Sequence, residues 1–195
     1  EKVRGMFQSI YFLPYVTSLV AIGIVWSWLF NSEYGIINFI LGKVGISPIN
    51  WLNDPKYAMI ALIIFAVWKS LAFNTLILTT GIASINPQYY QAAKIDQATS
   101  GTIFRKITVK LVSPMIAYTY VISLIAAFKV YTEVYVLFGG RTLDGAVSTV
   151  VRYIIDRFYG DQDFPLAFAA SVVLLIIILT VTLVQKTVAR NKIHY

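Results

Sequence analysis

Four long apolar stretches are the feature that most constrains how this chain can fold. They cover residues 10–30, 57–82, 111–138 and 164–185, and each reaches the length of about 20 residues that a helix needs to cross a bilayer. Only 13% of the residues are charged and 58% are hydrophobic, whereas a soluble domain carries roughly 25% charged residues. The sequence therefore predicts an all-α fold, a polytopic transmembrane helical bundle with four spans in this chain.

Basic side chains are concentrated in alternate connections. The N-terminus, the 83–110 segment and the C-terminal tail carry nine lysines and arginines against Glu1 and Asp96, whereas the other two connections carry five against six acids. Lysine and arginine accumulate on the cytoplasmic side of membrane proteins. We therefore expect both ends of this chain and the 83–110 segment to be cytoplasmic. The net charge of +7 follows from this bias and indicates no nucleic-acid partner.

The residue types that most catalytic and metal sites use are scarce in this sequence. The chain has no cysteine, and its one histidine, His194, stands next to last, which removes thiol chemistry and most histidine chemistry. There is no glycine-rich phosphate-binding loop, so ATP hydrolysis is not expected of this chain. We therefore expect no catalytic site, no metal site and no cofactor, and the pattern disfavours an intramembrane enzyme.

Three charged residues interrupt the apolar stretches. Lys69 lies near the middle of the second stretch, and Lys129 and Glu133 lie four residues apart in the third, which places them on one face of a helix. A lone charge at mid-bilayer costs at least about 2.5–3.5 kcal/mol. Two interpretations stay open: an internal ion pair with snorkelling toward the outer surface, or a polar cavity between helices that these side chains line.

The segment from 83 to 114 is basic and polar, unlike the stretches on either side of it. Pro87 can open a helix, residues 88–99 are rich in helix formers, and Ser100 and Gly101 predict its end before a second helix begins. That pattern predicts a cytoplasmic projection of two helices joined by a turn. An amphipathic connector that lies on the membrane is the alternative.

The same segment resembles the EAA loop of ATP-binding-cassette (ABC) importer permeases, whose pattern runs approximately E-A-A-x-x-D-G-A and then F-x-x-I-x-L-P. The matching positions are Ala92, Ala93, Asp96, Ala98, Phe104 and Ile107. Three positions depart from the pattern: Gln91 replaces the glutamate, Gln97 the glycine and Lys110 the proline. Without the acid a charge-assisted contact is lost, and without the glycine the turn is expected to tighten or to shift to Gly101.

Segments outside this loop resemble the carbohydrate-specific branch of the same permeases, the maltose and multiple-sugar type. They lie at 12–15, 26–38, 51–58 and 128–140 and at the closing IHY. The resemblance implies six core helices, of which four would lie in this chain, so that residues 1–195 form one transmembrane domain without the first two helices. The chain begins with glutamate, and we expect it to belong to a larger protein.

The resemblance implies the permease subunit of an importer for a sugar or oligosaccharide, in the bacterial plasma membrane. Its implied partners are ABC ATPase subunits that bind and hydrolyse ATP, a second permease subunit, an extracellular solute-binding protein, the sugar and membrane lipid. The 83–110 loop would couple the permease to the ATPase. The implied coupling residues are Tyr90, Gln91, Ala92, Ala93, Asp96, Gln97 and Ala98.

Sugars bind to aromatic faces and hydrogen-bonding side chains, and the second and third stretches offer both. The candidate residues of a substrate pathway are Lys69, Asn74, Lys129, Tyr131, Glu133 and Tyr135. Packing between helices, or an aromatic belt at the membrane surface, is the alternative explanation of the tyrosines. Two alternatives for the whole chain also stay open: a secondary transporter in which Lys129 and Glu133 couple to protons, and an importer permease for a non-sugar solute.

Overall fold

The computed structural model describes residues 14–192, and the side chains of residues 14–187. Helix is the only regular secondary structure in this part of the chain, so the predicted all-α class is confirmed. The helices are α1 Leu19–Leu29, α2 Ile36–Lys43, α3 Pro55–Ala83, α4 Pro87–Ile95, α5 Ser100–Phe128, α6 Thr132–Phe138, α7 Val150–Ile155 and α8 Phe164–Lys192.

Among the described residues, α3, α5 and α8 are long and apolar enough to cross a membrane. The first predicted span is represented by helical residues 14–16, a bend, and α1, which has 11 residues and by itself is shorter than a bilayer crossing; positions 10–13 of that predicted span lie outside the described residues. The three long helices keep many apolar side chains exposed in the isolated chain. Lipid, or an apolar surface of another protein, is suited to cover these exposed side chains.

The third predicted span has the wrong boundaries. α5 begins at Ser100 and ends at Phe128, and α6 is a separate helix. The chain is not helical between Phe128 and Thr132, and at Tyr131, which precedes α6, φ is −144° and ψ is −57°. The carbonyl of Val130, freed by this break, accepts a hydrogen bond of 2.6 Å from the hydroxyl of Thr149. No proline or glycine marks the break, so apolar periodicity alone does not reveal it.

The buried core lies at one end of the bundle, around α6. The largest fully buried side chains are Phe30, Phe65, Val134, Phe138 and Val147. They come from the end of α1, the first half of α3, α6 itself and the connection that follows it. α1 packs most extensively against α6, and a Cβ added to Gly23 would lie 2.4 Å from Cγ1 of Val136. This close approach requires glycine at position 23.

The connection between α1 and α3 is organised around one buried amide, Asn38 on α2. Its Nδ2 donates to the carbonyls of Asn31, Ser32 and Ile49 at 3.4, 3.2 and 2.8 Å. Its Oδ1 accepts from the Ile49 amide at 3.2 Å and from Trp51 Nε1 at 2.9 Å. The side chain of Asn38 therefore holds both halves of the connection in place, because its donor and acceptor groups form hydrogen bonds with segments on either side that have no regular secondary structure.

Pro114 stands inside α5 and does not break it. A proline in a helix leaves the carbonyl four residues earlier without its backbone donor, and here that carbonyl belongs to Lys110. The hydroxyl of Ser113 donates to it at 2.7 Å. This local hydrogen bond explains how α5 continues through the proline, as serine side chains do in membrane helices.

Candidate functional site

The predicted projection is a helical hairpin formed by α4 and the start of α5. Asn86 caps α4 by accepting from the Gln88 amide at 3.0 Å, with Pro87 at the first helical position. α4 ends in a Schellman turn, in which the Ala98 amide donates to the Ala93 carbonyl and the Gln97 amide to that of Lys94, both at 3.0 Å. Such a turn needs a residue in the left-handed region, and Gln97 provides it with a φ of 54°.

The predicted end of the first helix at Ser100 and Gly101 is wrong. α4 ends at Ile95, and Ser100 and Gly101 begin α5. Thr99 caps α5, because its hydroxyl accepts from the Thr102 amide at 3.4 Å. The expected shift of the turn to Gly101 is also wrong: Gln97 keeps the turn in place at the cost of about 1–2 kcal/mol for a left-handed non-glycine residue.

α4 presents almost its whole surface to the outside. Tyr90 and Ala93, three residues apart and hence on one face, are the only α4 residues that are not exposed. Ile95 is 82% exposed, which is unusual for an isoleucine at the tip of a polar hairpin. The predicted coupling residues thus divide into two groups. Gln91, Ala92, Asp96 and Gln97 face outward, whereas Tyr90, Ala93 and Ala98 lie toward the chain itself.

The inner face of α4 meets a π-helical turn, Phe104–Thr108, in the first part of α5. The hydroxyl of Tyr90 lies 3.1 Å from Oγ1 of Thr108, at hydrogen-bonding distance. Thr108 is 8% exposed. Sequence reasoning did not single out Thr108, and no local pattern marks it, because the contact joins residues 18 positions apart.

Glu133 forms an ion pair with Lys69 rather than with Lys129. Nζ of Lys69 lies 2.8 Å from Oε1 of Glu133, and the two side chains are 34% and 15% exposed. Lys69 is at the middle of α3, so α6 is held to the centre of that helix. Lys129 lies at the C-terminal cap of α5 and is exposed. The break after α5 separates it from Glu133, so the two do not share a helix as the sequence suggested.

The remaining candidate residues of the substrate pathway lie within a few positions of Lys69 or Glu133 in the sequence. Nδ2 of Asn74 and the hydroxyl of Ser123 are 3.3 Å apart, which joins α3 to α5. Asn74 follows Lys69 by five residues, about 7.5 Å along the helix. The rings of Tyr131 and Tyr135 lie 6.2 Å apart at the start of α6. Ser123 was missed by sequence reasoning, because a serine in an apolar helix becomes informative only with its partner known.

Comparison with known proteins agrees with this architecture. The family model for the binding-protein-dependent transport system inner membrane component matches residues 1–193. The chain is 32% identical over 189 residues to the trehalose/maltose transport system permease protein MalF of Thermococcus litoralis, covering 97% of this chain and 63% of that protein. It is also 32% identical over 196 residues to the lactose transport system permease protein LacF of Rhizobium radiobacter, covering 98% and 65%.

A solved structure shows the same fold. A chain of a bacterial ABC transporter involved in import of the acidic polysaccharide alginate has a TM-score of 0.86 and 25% sequence identity, covering 98% of this chain and 67% of that one. The chain spans roughly three fifths of the length of the curated relatives it matches. The family match over nearly all of the sequence shows that this multi-pass membrane chain belongs to the family of binding-protein-dependent transport system inner membrane components.

Proposed function

We propose that the protein is a permease subunit of an ABC importer that moves a sugar or oligosaccharide across the plasma membrane. The observation that carries the proposal is the projecting α4 helix, whose outward-facing residues are exposed and which ends in Ile95, 82% exposed. An exposed apolar residue on a rigid helix is suited to a partner's cleft. The similarity to sugar permeases supports sugar as the solute.

In this proposal α4 binds an ATPase subunit on the cytoplasmic side. The excess of lysine and arginine around α4 and at both ends of the chain supports that orientation. ATP is bound and hydrolysed by the partner, and the permease needs no cofactor of its own. A second permease subunit and a solute-binding protein outside the membrane complete the importer. A crystal structure of the alginate transporter in complex with its periplasmic protein supports such an assembly, by analogy of fold.

Substitution of Ile95 by aspartate tests the docking. We expect the loss of a central apolar anchor to cost about 2 kcal/mol of binding, roughly a thirtyfold fall in affinity for the ATPase. Recovery of the ATPase with the affinity-purified permease measures it.

Ile46→Asp is the matched control, since Ile46 is 45% exposed and lies between α2 and α3, on the opposite side of the membrane in the proposed orientation. Equal recovery of the ATPase with both variants would contradict the proposal. Uptake that requires a proton gradient and no ATPase would instead support a secondary transporter.

We further propose that the solute passes along the surface formed by α3, the break after α5, and α6. The supporting residues are Lys69, Asn74, Lys129, Tyr131, Glu133 and Tyr135. They combine charged and hydrogen-bonding groups with aromatic rings within two neighbouring helices and the break between α5 and α6. Lys129 is exposed, and no carboxylate pairs with it among the described residues, so it is free to contact a solute.

Lys129→Ala tests the proposed solute pathway independently of the docking of the ATPase. Loss of one charged hydrogen-bond donor costs about 1.5–3 kcal/mol, so we expect initial uptake to fall about tenfold or more, with ATPase recovery unchanged. Lys56→Ala, at the first turn of α3, is the control. Normal uptake by Lys129→Ala would argue that the solute does not contact this residue.

A further inference from the structure

We propose that the hydrogen bond between Tyr90 and Thr108 is a positioning contact that makes α4 and α5 move as one body, so that motion of the ATPase reaches the membrane. This inference rests on the proposed function, because it assigns a role only if α4 binds an ATPase. The proposed contact lies on the inward face of α4, and a bound ATPase does not need to contact this face. Tyr90 and Thr108 act through the helices they join and contact neither the solute nor ATP.

Few other contacts hold α4 to the rest of the chain. Its remaining inward residue, Ala93, has only a methyl group to pack. Among the described side chains, the Tyr90–Thr108 contact is the only hydrogen bond between α4 and α5. Apart from this contact and the packing of the buried Ala93, α4 is joined to α5 by the turn at residues 96–99. A force on the exposed face of α4 would therefore tend to pivot the helix about that turn.

The contact between Tyr90 and Thr108 lies well away from the turn about which α4 would pivot. Tyr90 precedes Ile95, the last residue of α4, by five residues, which is about 7.5 Å along a helix that rises 1.5 Å per residue. A bond that far from the pivot resists rotation much better than one beside it. Its other end, Thr108, is buried and lies at the end of the π-helical turn, directly before the regular part of α5 begins. The contact therefore connects α4 directly to the spanning helix.

The Thr108 hydroxyl does not form the local hydrogen bond that several other helical threonines form. The hydroxyls of Thr79, Thr80 and Thr187 each donate to the backbone carbonyl four residues earlier, at 2.6–2.9 Å. Thr108 instead bonds to a side chain on another helix. π-Helical turns frequently occur at functional sites, and this one presents a hydroxyl to α4.

The experiment measures ATP hydrolysed per sugar imported by the assembled importer in proteoliposomes, with radiolabelled maltose, trehalose and lactose as probes. Tyr90→Phe and Thr108→Val each remove one hydroxyl at nearly constant shape. We expect each to raise the ratio about fivefold, as the loss of one neutral hydrogen bond permits. The ATPase should co-purify as before. The double variant should be no worse than either single variant, because both remove the same bond.

Two further variants separate positioning from general damage. Thr108→Ser keeps the hydroxyl and should keep the original ratio, even if Thr108→Val is poorly folded. Tyr34→Phe is the matched control, since Tyr34 is 70% exposed, lies between α1 and α2 away from α4, and among the described residues hydrogen-bonds only through its backbone amide.

The outcomes distinguish the inference from the proposed function on which it rests. An unchanged ratio in Tyr90→Phe, or effects of the two single variants that add in the double variant, would overturn the positioning role alone. If the unaltered protein imports none of the three probes in an ATP-dependent manner, the proposed function fails, and the positioning role falls with it.

Discussion

Glu133→Gln is expected to destabilise the protein by about 3 kcal/mol, because it leaves the Lys69 ammonium unpaired at the centre of a membrane helix. Breaking a buried ion pair by removing one partner costs about 3–5 kcal/mol. The value here lies at the lower end, since the side chain of Lys69 is 34% exposed and that of Glu133 15%. The loss also removes the one ion pair that holds α6 to α3 in the described part of the chain. The midpoint of thermal unfolding in detergent measures the effect.

Replacing both charged residues provides the control for Glu133→Gln. A double variant, Lys69→Met with Glu133→Leu, removes both charges, and we expect it to be nearly as stable as the unaltered protein, because apolar replacement of a buried pair is often neutral. If Glu133→Gln unfolds at the same temperature as the unaltered protein, the pair does not stabilise α6. If the double variant is as unstable as the single one, the loss reflects packing and not an unpaired charge.

Asn38→Asp is expected to disorganise the connection between α1 and α3. Aspartate has nearly the same shape as asparagine but, when ionised, cannot donate to the three carbonyls that Nδ2 of Asn38 now serves. Its second oxygen would face those carbonyls in a site where Asn38 is 6% exposed. Each buried group left without a partner costs about 1–3 kcal/mol, so the total loss is expected to exceed about 3 kcal/mol.

Limited proteolysis within residues 31–54, together with the fluorescence of Trp51, measures this change. Trp51 is 7% exposed and donates to Oδ1 of Asn38, so its emission should shift to longer wavelength as water enters. Asn53→Asp is the matched control, since Asn53 makes one hydrogen bond, to Asn50 Oδ1 at 3.0 Å, on the surface. Equal protease resistance in both variants would show that Asn38 is not the organising residue of this connection.

The part of the candidate site that depends on neighbouring residues was predictable. Asn86 and Pro87 stand next to each other in the sequence, and the start of α4 follows from them because a capping residue and a first-turn proline act over one or two positions. The resemblance of the loop to a known pattern left two positions open for its turn, near Gln97 or at Gly101. The end of α4 was misplaced, because a Schellman turn at a non-glycine residue has no clear sequence signal.

The contacts that give the site its geometry were not predictable in the same way. Lys69 and Glu133 are 64 positions apart, and Tyr90 and Thr108 are 18 apart. The sequence alone offers each of these side chains several possible partners: Glu133, for example, is expected to share a helix face with Lys129 but pairs with Lys69. The choice depends on where the backbone breaks after Phe128, and that break is stabilised by Thr149 from a later segment.

The sequence by itself determined that this protein lies in a membrane and that its fold is helical. Long apolar stretches with few charges require a membrane, and an apolar stretch of about 20 residues crosses it as a helix, because a helix satisfies all of its backbone groups within its own segment. Only the tertiary structure decided which polar side chains meet. Those contacts depend on the relative positions of α3, α4, α5 and α6, and such positions result from packing over the whole chain, which no local pattern of residues encodes.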